Sequence, residues 1–369
     1  MKRPIIAILT ILTTFAGMSV KAQDAMFSQY FANPLYLNPA FAGTNICPRI
    51  ALHFRDQWPS APGTFMTYTA SYDEHFDKIS GGVGVLLFGD RAGEGGIINS
   101  YSASAMYSFK LKVAQNFNLR FALQASYDYR GLNWEKLTFG DMIDPKYGFV
   151  YNTQEQYPGK EYLNIHSFDM AAGFLGYTPH LYFGLAVHHM LPMVSFNGKS
   201  VQTSSFMGAQ TDNPYELRPV KWTAHIGGYF DLKRKSRKET SFGDISISPN
   251  FIYQHQQHFN YFSEGFYLNF YPFTVGMWLR HGLTYKGNVY SGMNQNGEPI
   301  YNPESFHNMD ALIFMFGLEY NMFKVAYSYD ATISKLKNAT GGSHEVSVQI
   351  LLPCPQKRKA VKDLICPSF

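Results

Sequence analysis

The chain has 369 residues, 46% of them hydrophobic and 17% aromatic but only 16% charged, where a soluble domain carries about 25% charged residues. This balance is the opposite of what a disordered chain needs and excludes one. Mean hydropathy is only −0.19, and beyond residue 22 no apolar run approaches the ~20 residues of a membrane-spanning helix, so a polytopic helical membrane protein is excluded too.

Residues 1–22 read as a secretory signal. Lys2 and Arg3 make a positive start, Ile5 to Met18 are mostly apolar, and Val20-Lys21-Ala22 is the expected cleavage site, with Gln23 first in the mature chain. Cleavage removes three basic residues (Lys2, Arg3, Lys21) and no acid, taking the 31 basic residues to 28 against 27 acidic ones. The pI of 8.7 therefore reflects the leader and gives no argument for nucleic-acid binding. Export permits disulfides. Cys47, Cys354 and Cys366 are each followed by Pro, and three cysteines leave at least one unpaired in a monomer. Cys354 and Cys366 flank one short tail and are the candidate pair; Cys47 is an alternative partner for either. No Cys-x-x-Cys or Cys/His spacing points to a metal, and no cofactor is expected.

Residues 23–48 follow. Asn33-Pro34 and Asn38-Pro39 stand five residues apart, flanked by Phe27, Ser28, Gln29, Tyr30, Tyr36, Phe41 and Gly43. Proline fixes φ, lacks an N–H and restricts the residue before it, while Asn favours turns. This segment cannot be a ladder strand, and it is too apolar to stay in water.

From residue 49 onward the pattern has period two. In Phe117–Arg130, Phe117, Leu119, Phe121, Leu123, Ala125, Tyr127 and Tyr129 share one face, and Asn118, Arg120, Gln124, Ser126, Asp128 and Arg130 lie on the other. Strands are predicted near 49–58, 64–75, 81–89, 97–112, 117–130, 166–177, 181–190, 219–232, 242–254, 260–271, 273–285, 309–320, 323–331 and 343–352, about fourteen in all. The long connections are all odd-numbered: Gly131–Ile165, Leu191–Arg218, Lys286–Asn308 and Thr332–Gly342. Most even ones are tight. Short turns on one side and long loops on the other mark an outer-membrane antiparallel β-barrel with an apolar exterior, a polar lumen and aromatic girdles, closed because lipid satisfies no free sheet edge. A soluble sandwich or propeller explains neither the one-sided loops nor the low charge, and no repeat of fixed period is present.

The expected division is signal peptide 1–22, plug or periplasmic segment 23–48, transmembrane barrel 49–352 and periplasmic tail 353–369. The segment is expected to fold into the lumen or to cap the periplasmic mouth, with both termini periplasmic. Two basic clusters fall on that side: Lys233, Arg234, Lys235, Arg237 and Lys238 in a turn, and Lys357, Arg358 and Lys359 in the tail. They are either solvated turns or a dock for an acidic partner or anionic lipid. His188-His189 at a strand end read as structural, and Asp141, Asp144, Glu155 and Glu161 lack ligand spacing. The Gly-rich Asp90–Gly96 stretch precedes no helix and so cannot cradle phosphate. No nucleophile motif or triad appears, so no enzyme is expected; the alternative to a scaffold is a solute channel.

The segment Gln23–Gly43 resembles the opening of the PorP/SprF family of the Bacteroidetes type IX secretion system. The likeness continues through Phe54-Arg-Asp-Gln-Trp58, Gly63-Thr-Phe65, Tyr68-Thr-Ala-Ser-Tyr-Asp73, Gly81-Gly-Val-Gly-Val85, Asp90-Arg-Ala-Gly-Glu-Gly95, Tyr327-Ser-Tyr-Asp330 and Gly341-Gly-Ser-His-Glu-Val346. The resemblance implies a fourteen-stranded outer-membrane barrel serving type IX secretion or gliding. Its implied partners are a secreted surface protein or adhesin, and a periplasmic ring or peptidoglycan-binding proteins.

Overall fold

Alternation that sends apolar side chains one way and polar ones the other leaves a single sheet with two options: pack its greasy face on another layer, or turn it to lipid. The computed structural model takes the second. It describes residues 24–45, 47–61, 63–144, 146–157, 163–191, 218–233, 245–256, 259–293, 299–334 and 340–354. The leader, and most of both basic clusters, lie outside the described residues.

Among the described residues fourteen antiparallel strands close a barrel. They are β1 (Arg49–Gln57), β2 (Phe65–Phe76), β3 (Gly81–Ala92), β4 (Ile98–Ala114), β5 (Phe117–Leu132), β6 (Asn164–Tyr177), β7 (Leu181–His188), β8 (Lys221–Gly228), β9 (Ile245–Gln256), β10 (Phe259–Phe270), β11 (Phe273–Met293), β12 (Pro299–Tyr320), β13 (Phe323–Thr332) and β14 (Ser343–Leu351). Each pairs with its sequence neighbour, and β1 closes on β14 in unbroken register from Arg49↔Leu351 to Gln57↔Ser343. One rim carries the tight turns at 77–80, 115–116, 178–180, 271–272 and 321–322. The opposite rim carries the long connections from β5 to β6 and from β7 to β8, of which residues 133–144, 146–157, 163, 189–191 and 218–220 are described.

The two faces separate cleanly. Leu123 is 62% exposed on the outer wall, while Arg120, three residues earlier, is 2% exposed toward the lumen. Phe76, Phe230, Tyr271, Tyr320 and Phe323 are exposed around the tight-turn rim, as interfacial girdle residues are. At the long-loop rim Tyr127 and Tyr327 hydrogen-bond outward-facing His166 and His344 at 2.8 and 2.7 Å.

Several expectations are corrected. Residues 286–293 and 299–308 are not loop: pairing of β11 with β12 continues from Tyr285↔Phe306 to Met293↔Pro299, with one register shift, between Tyr290 and Gly292. Val289, Tyr290, Ile300 and Tyr301 favour extended backbone, but the Gly and Asn between them mimic a turn sequence. The predicted strand 219–232 breaks at Tyr229, whose N–H donates to the His180 carbonyl at 2.8 Å. Phe230–Lys233 then pairs only with β9. The disulfide joins Cys47 to Cys354, not Cys354 to Cys366. The β1–β14 seam brings these two cysteines, 307 residues apart in sequence, to a Cα separation of 4.6 Å; Cys366 lies outside the described residues.

Candidate functional site: a segment threaded through the lumen

The lumen is not empty. Residues 24–44 run through it, and nearly every one is buried. The thread starts at the long-loop rim, where the Asp24 N–H donates to Gln256 Oε1 at 3.1 Å. It ends at the tight-turn rim, where the Gly43 N–H donates to Asp73 Oδ2 at 2.8 Å and Asp73 pairs with Arg49 at the start of β1. The ends of the barrel strands do share one rim. The described N-terminal end does not join them: it lies at the opposite rim, and the segment runs down through the lumen before β1 begins.

The upper part is held by charge. Glu345 accepts the N–H groups of Ser28 at 2.7 Å and Gln29 at 3.0 Å. Ser28 Oγ donates to Asp330 at 2.6 Å and accepts from Arg55 at 2.8 Å and Arg280 at 3.2 Å. Arg55 also bonds Asp330 at 2.8 Å and Glu345 at 3.1 Å. Two guanidinium groups and two carboxylates thus converge from β1, β11, β13 and β14 on one serine. Two successive residues of non-helical chain give their N–H groups to one carboxylate, which a helix interior would have withheld. At the mouth, His189 lies between Asp24 and Asp169, 2.6 Å from each. Burial raises the Asp24 carboxyl, but His189, Lys221 and Arg218 overcome it and hold the group well below the usual carboxylate range. Burial likewise opposes the His189 imidazolium, yet Asp24 and Asp169 raise its pKa above the ordinary value.

The lower part is held by shape. Pro34–Leu37 forms a one-turn helix, α1, with Pro34 at its start, and Pro39–Phe41 adds a 3-10 turn. Asn38 caps that turn by accepting the Ala40 N–H at 2.9 Å. Its amide donates to the Phe174 and Leu185 carbonyls at 3.0 and 3.2 Å. Leu35, Leu37, Phe31 and Phe41 pack on an apolar strip of the lumen wall that includes Leu175, Tyr182, Tyr267 and Trp278. Tyr30 meets Trp278 at a ring distance of 5.2 Å and donates to or accepts from Ser263 at 2.6 Å. Tyr36 stacks on Phe88 at 5.5 Å, with the Lys221 ammonium 4.9 Å from its ring. Asn33 donates to Thr69 at 2.9 Å, and Arg120 donates to the carbonyls of Ala42 and Gly43 at 2.8 and 2.6 Å. Gly43 has φ +65°, a conformation that favours glycine. Across from it, a Cβ on Gly82 would collide with the backbone of Ala42 and Gly43.

All the segment residues singled out in the sequence therefore meet the wall or each other inside the barrel. Of the basic turn, Lys233 ends the strand extension; Arg234, Lys235, Arg237 and Lys238, like Lys357, Arg358 and Lys359, lie outside the described residues. The wall receptors Arg55, Arg120, Arg280, Asp73, Asp330 and Glu345 do not stand out in the sequence as site residues. Their signal was present: charged residues on strands, on the face opposite the aromatics. Several sit inside the matched wall motifs, as Arg55, Thr69, Asp73, Gly82, Asp330 and Glu345 do.

The model of the type IX secretion system membrane protein PorP/SprF matches residues 19–350. The chain belongs to the PorP/SprF family. No curated protein matches it. Among solved structures, this family member is similar to a Pseudomonas aeruginosa FadL homologue at 9% identity, covering 90% of this chain and 99% of the other with a TM-score of 0.37. It is similar to Omp33 of Acinetobacter baumannii at 9% identity, covering 83% and 99% with a TM-score of 0.37. CdiB from Acinetobacter baumannii is matched at 9% identity over 82% of this chain and 60% of that one, TM-score 0.41. These likenesses extend to the barrel fold alone. The chain is an outer-membrane, multi-pass β-barrel of the type IX secretion membrane family.

Proposed function

We propose that the protein is a non-enzymatic scaffold of type IX secretion. In this reading it supports secretion or surface anchoring of a partner protein such as a gliding adhesin, and docks the periplasmic machinery. The observation that carries the reading is the filled lumen. Residues 24–44 are buried along the barrel's length by paired charges and packed rings, an arrangement suited to a rigid platform rather than a conduit. The tight-turn rim then faces the periplasm, with the basic residues Lys233–Lys238 and Lys357–Lys359 as the dock for the inner machinery, and the long loops face outward. Co-purification from native membranes tests the reading: recovery of type IX components together with one surface protein supports it, and recovery of neither defeats it. Protease applied to intact cells tests the orientation, with cleavage near Tyr151 and none near Lys357 expected. The competing solute-channel reading requires current through the intact protein in planar bilayers; the filled lumen leads us to expect little.

A further inference from the structure

On the outer wall, strands β2 to β5 enclose a depression of about 450 Å³ just below the long-loop rim. Small side chains make its floor: Ala70 and Ala103 face outward there, and a Cβ on Gly89 would run into the ring of Tyr68. Aromatic rings make its walls. Tyr101 and Tyr129 stack at 6.1 Å with an interplanar angle of 15°. The tyrosine hydroxyls are turned toward the rim: that of Tyr129 donates to Asn164 at 2.8 Å, and that of Tyr127 meets His166 at 2.8 Å. The rings are left as an apolar cleft, as in an interfacial belt.

At the upper edge of this cleft stands Arg91. Its side chain is exposed on the lipid-facing wall, beside the hydroxyls of Tyr68 and Tyr101. No ion pair joins it to a carboxylate among the described residues. Glu94 in the following turn is exposed, and Lys136 donates from the next loop to the Gly95 carbonyl of that same turn. A cation on the lipid face of a barrel is costly near the midplane and tolerated near the interface, where an anionic headgroup can meet it. A guanidinium binds phosphate oxygens through two parallel donors. Hydrocarbon covers this wall in any case; what the guanidinium adds is a preference for a charged headgroup at a fixed distance from a chain-sized cleft.

We propose that this face holds one phosphorylated lipid of the leaflet at the long-loop rim, with an acyl chain in the tyrosine-walled depression and its phosphate on Arg91. The site rests on the membrane-embedded barrel and is independent of the secretory role, so loss of the partner protein leaves it standing.

Native mass spectrometry of the full folded chain in neutral detergent tests the proposal, with lipid A and enzymatically dephosphorylated lipid A as probes. Phosphorylated lipid A should be retained about tenfold better, the scale of losing one charge-assisted hydrogen-bonded pair. Arg91→Gln should erase the difference, and Arg91→Lys should keep part of it. Ala103→Phe, which fills an exposed hollow, should displace both lipids, whereas Lys78→Gln at the opposite rim should change nothing. Heat-modifiable gel mobility confirms that each variant is a folded barrel. Equal retention of the two probes, or indifference to Arg91→Gln, overturns the proposal. So does displacement by millimolar inorganic phosphate, which would mean that the headgroup alone is recognised. A photo-crosslinker at position 103 that captures a protein rather than lipid in native membranes overturns it as well.

Discussion

The two halves of the luminal segment are held by different physics. From Asp24 to Gln29 the chain forms neither helix nor ladder, and its partners are mainly charged: Glu345, Asp330, Arg55, Arg280 and His189. From Tyr30 to Thr44 it coils, through a turn at 30–32 and two short helical turns, and its partners are mainly rings, glycines and neutral amides, with Arg120, Asp73 and Lys221 as the charged exceptions. A backbone without internal pairing exposes N–H groups and needs acceptors from the wall; a coiled one satisfies more of its own and needs room instead. The upper half is thus specified by placement of charge, which fails abruptly when one partner is lost. The lower half is specified by volume, which fails by degrees.

The largest effect separates the segment from the barrel. Deleting residues 24–43 behind the leader should leave a folded barrel, because the strand ladder, including the β1–β14 seam, needs none of them. Its charged lumen wall would be hydrated, as in a porin. Planar-bilayer recordings should change from near silence to steady ohmic current; an equally silent, folded deletion variant would mean that the segment is not what closes the lumen.

Next comes the charged half. Arg55 is 1% exposed and faces two carboxylates, so Arg55→Ala leaves uncompensated charge and should cost about 3–5 kcal/mol. Denaturant unfolding from detergent measures it. Limited proteolysis should also find new cleavage near Ser28. A loss below about 1 kcal/mol would assign the network no anchoring role.

The shape-held half should respond more gently. Leu35 is fully buried between α1 and the wall. Leu35→Ala should cost about 2–4 kcal/mol, according to how far the wall collapses into the space. Leu35→Met, which conserves volume, should cost less than about 1.5 kcal/mol. If the two variants unfold alike, packing is not what holds this half.

The smallest effect is a pH dependence confined to the mouth. His189 has a raised pKa, so its contribution is complete below the ordinary histidine value of 6.5 and fades as pH rises through the folded value. Asp24 has a lowered pKa, so its contribution is complete above the ordinary 3.8 and fades as pH falls through the folded value. Between those limits the clamp is closed. Hydrogen exchange at residues 24–27 should therefore be slowest at mildly acidic pH and speed up, beyond its intrinsic base catalysis, as pH rises through the raised His189 value. His189→Gln should abolish that excess, leaving the Ser28–Glu345 contacts unaffected.

Much of this architecture was legible residue by residue. Leu123 and Arg120 lie on opposite faces because side chains alternate along a strand, and one-sided loop lengths imply a closed barrel. Asn33-Pro34 and Asn38-Pro39 forbid a ladder strand, and the chain makes short helical turns there. Periodicity misjudged 286–293 and 299–308, where Gly and Asn between strand-forming residues look like a loop but the neighbouring strand supplies the pairing.

Alternation, turn chemistry and composition are local properties, so the sequence by itself determined a barrel with a greasy exterior and an apolar, proline-broken segment that had to be buried. Which wall groups receive that segment was decided only in three dimensions. Arg55, Arg280, Asp330 and Glu345 come from four strands, and Ser28 reaches Asp330 across 302 positions of chain. The same holds for Cys47 and Cys354, which meet because closing the sheet sets the first strand beside the last. The direction of the thread, from the long-loop rim down through the lumen to the tight-turn rim, is likewise a tertiary outcome: it follows from where the wall's charges and hollows stand, and no spacing along the chain encodes that.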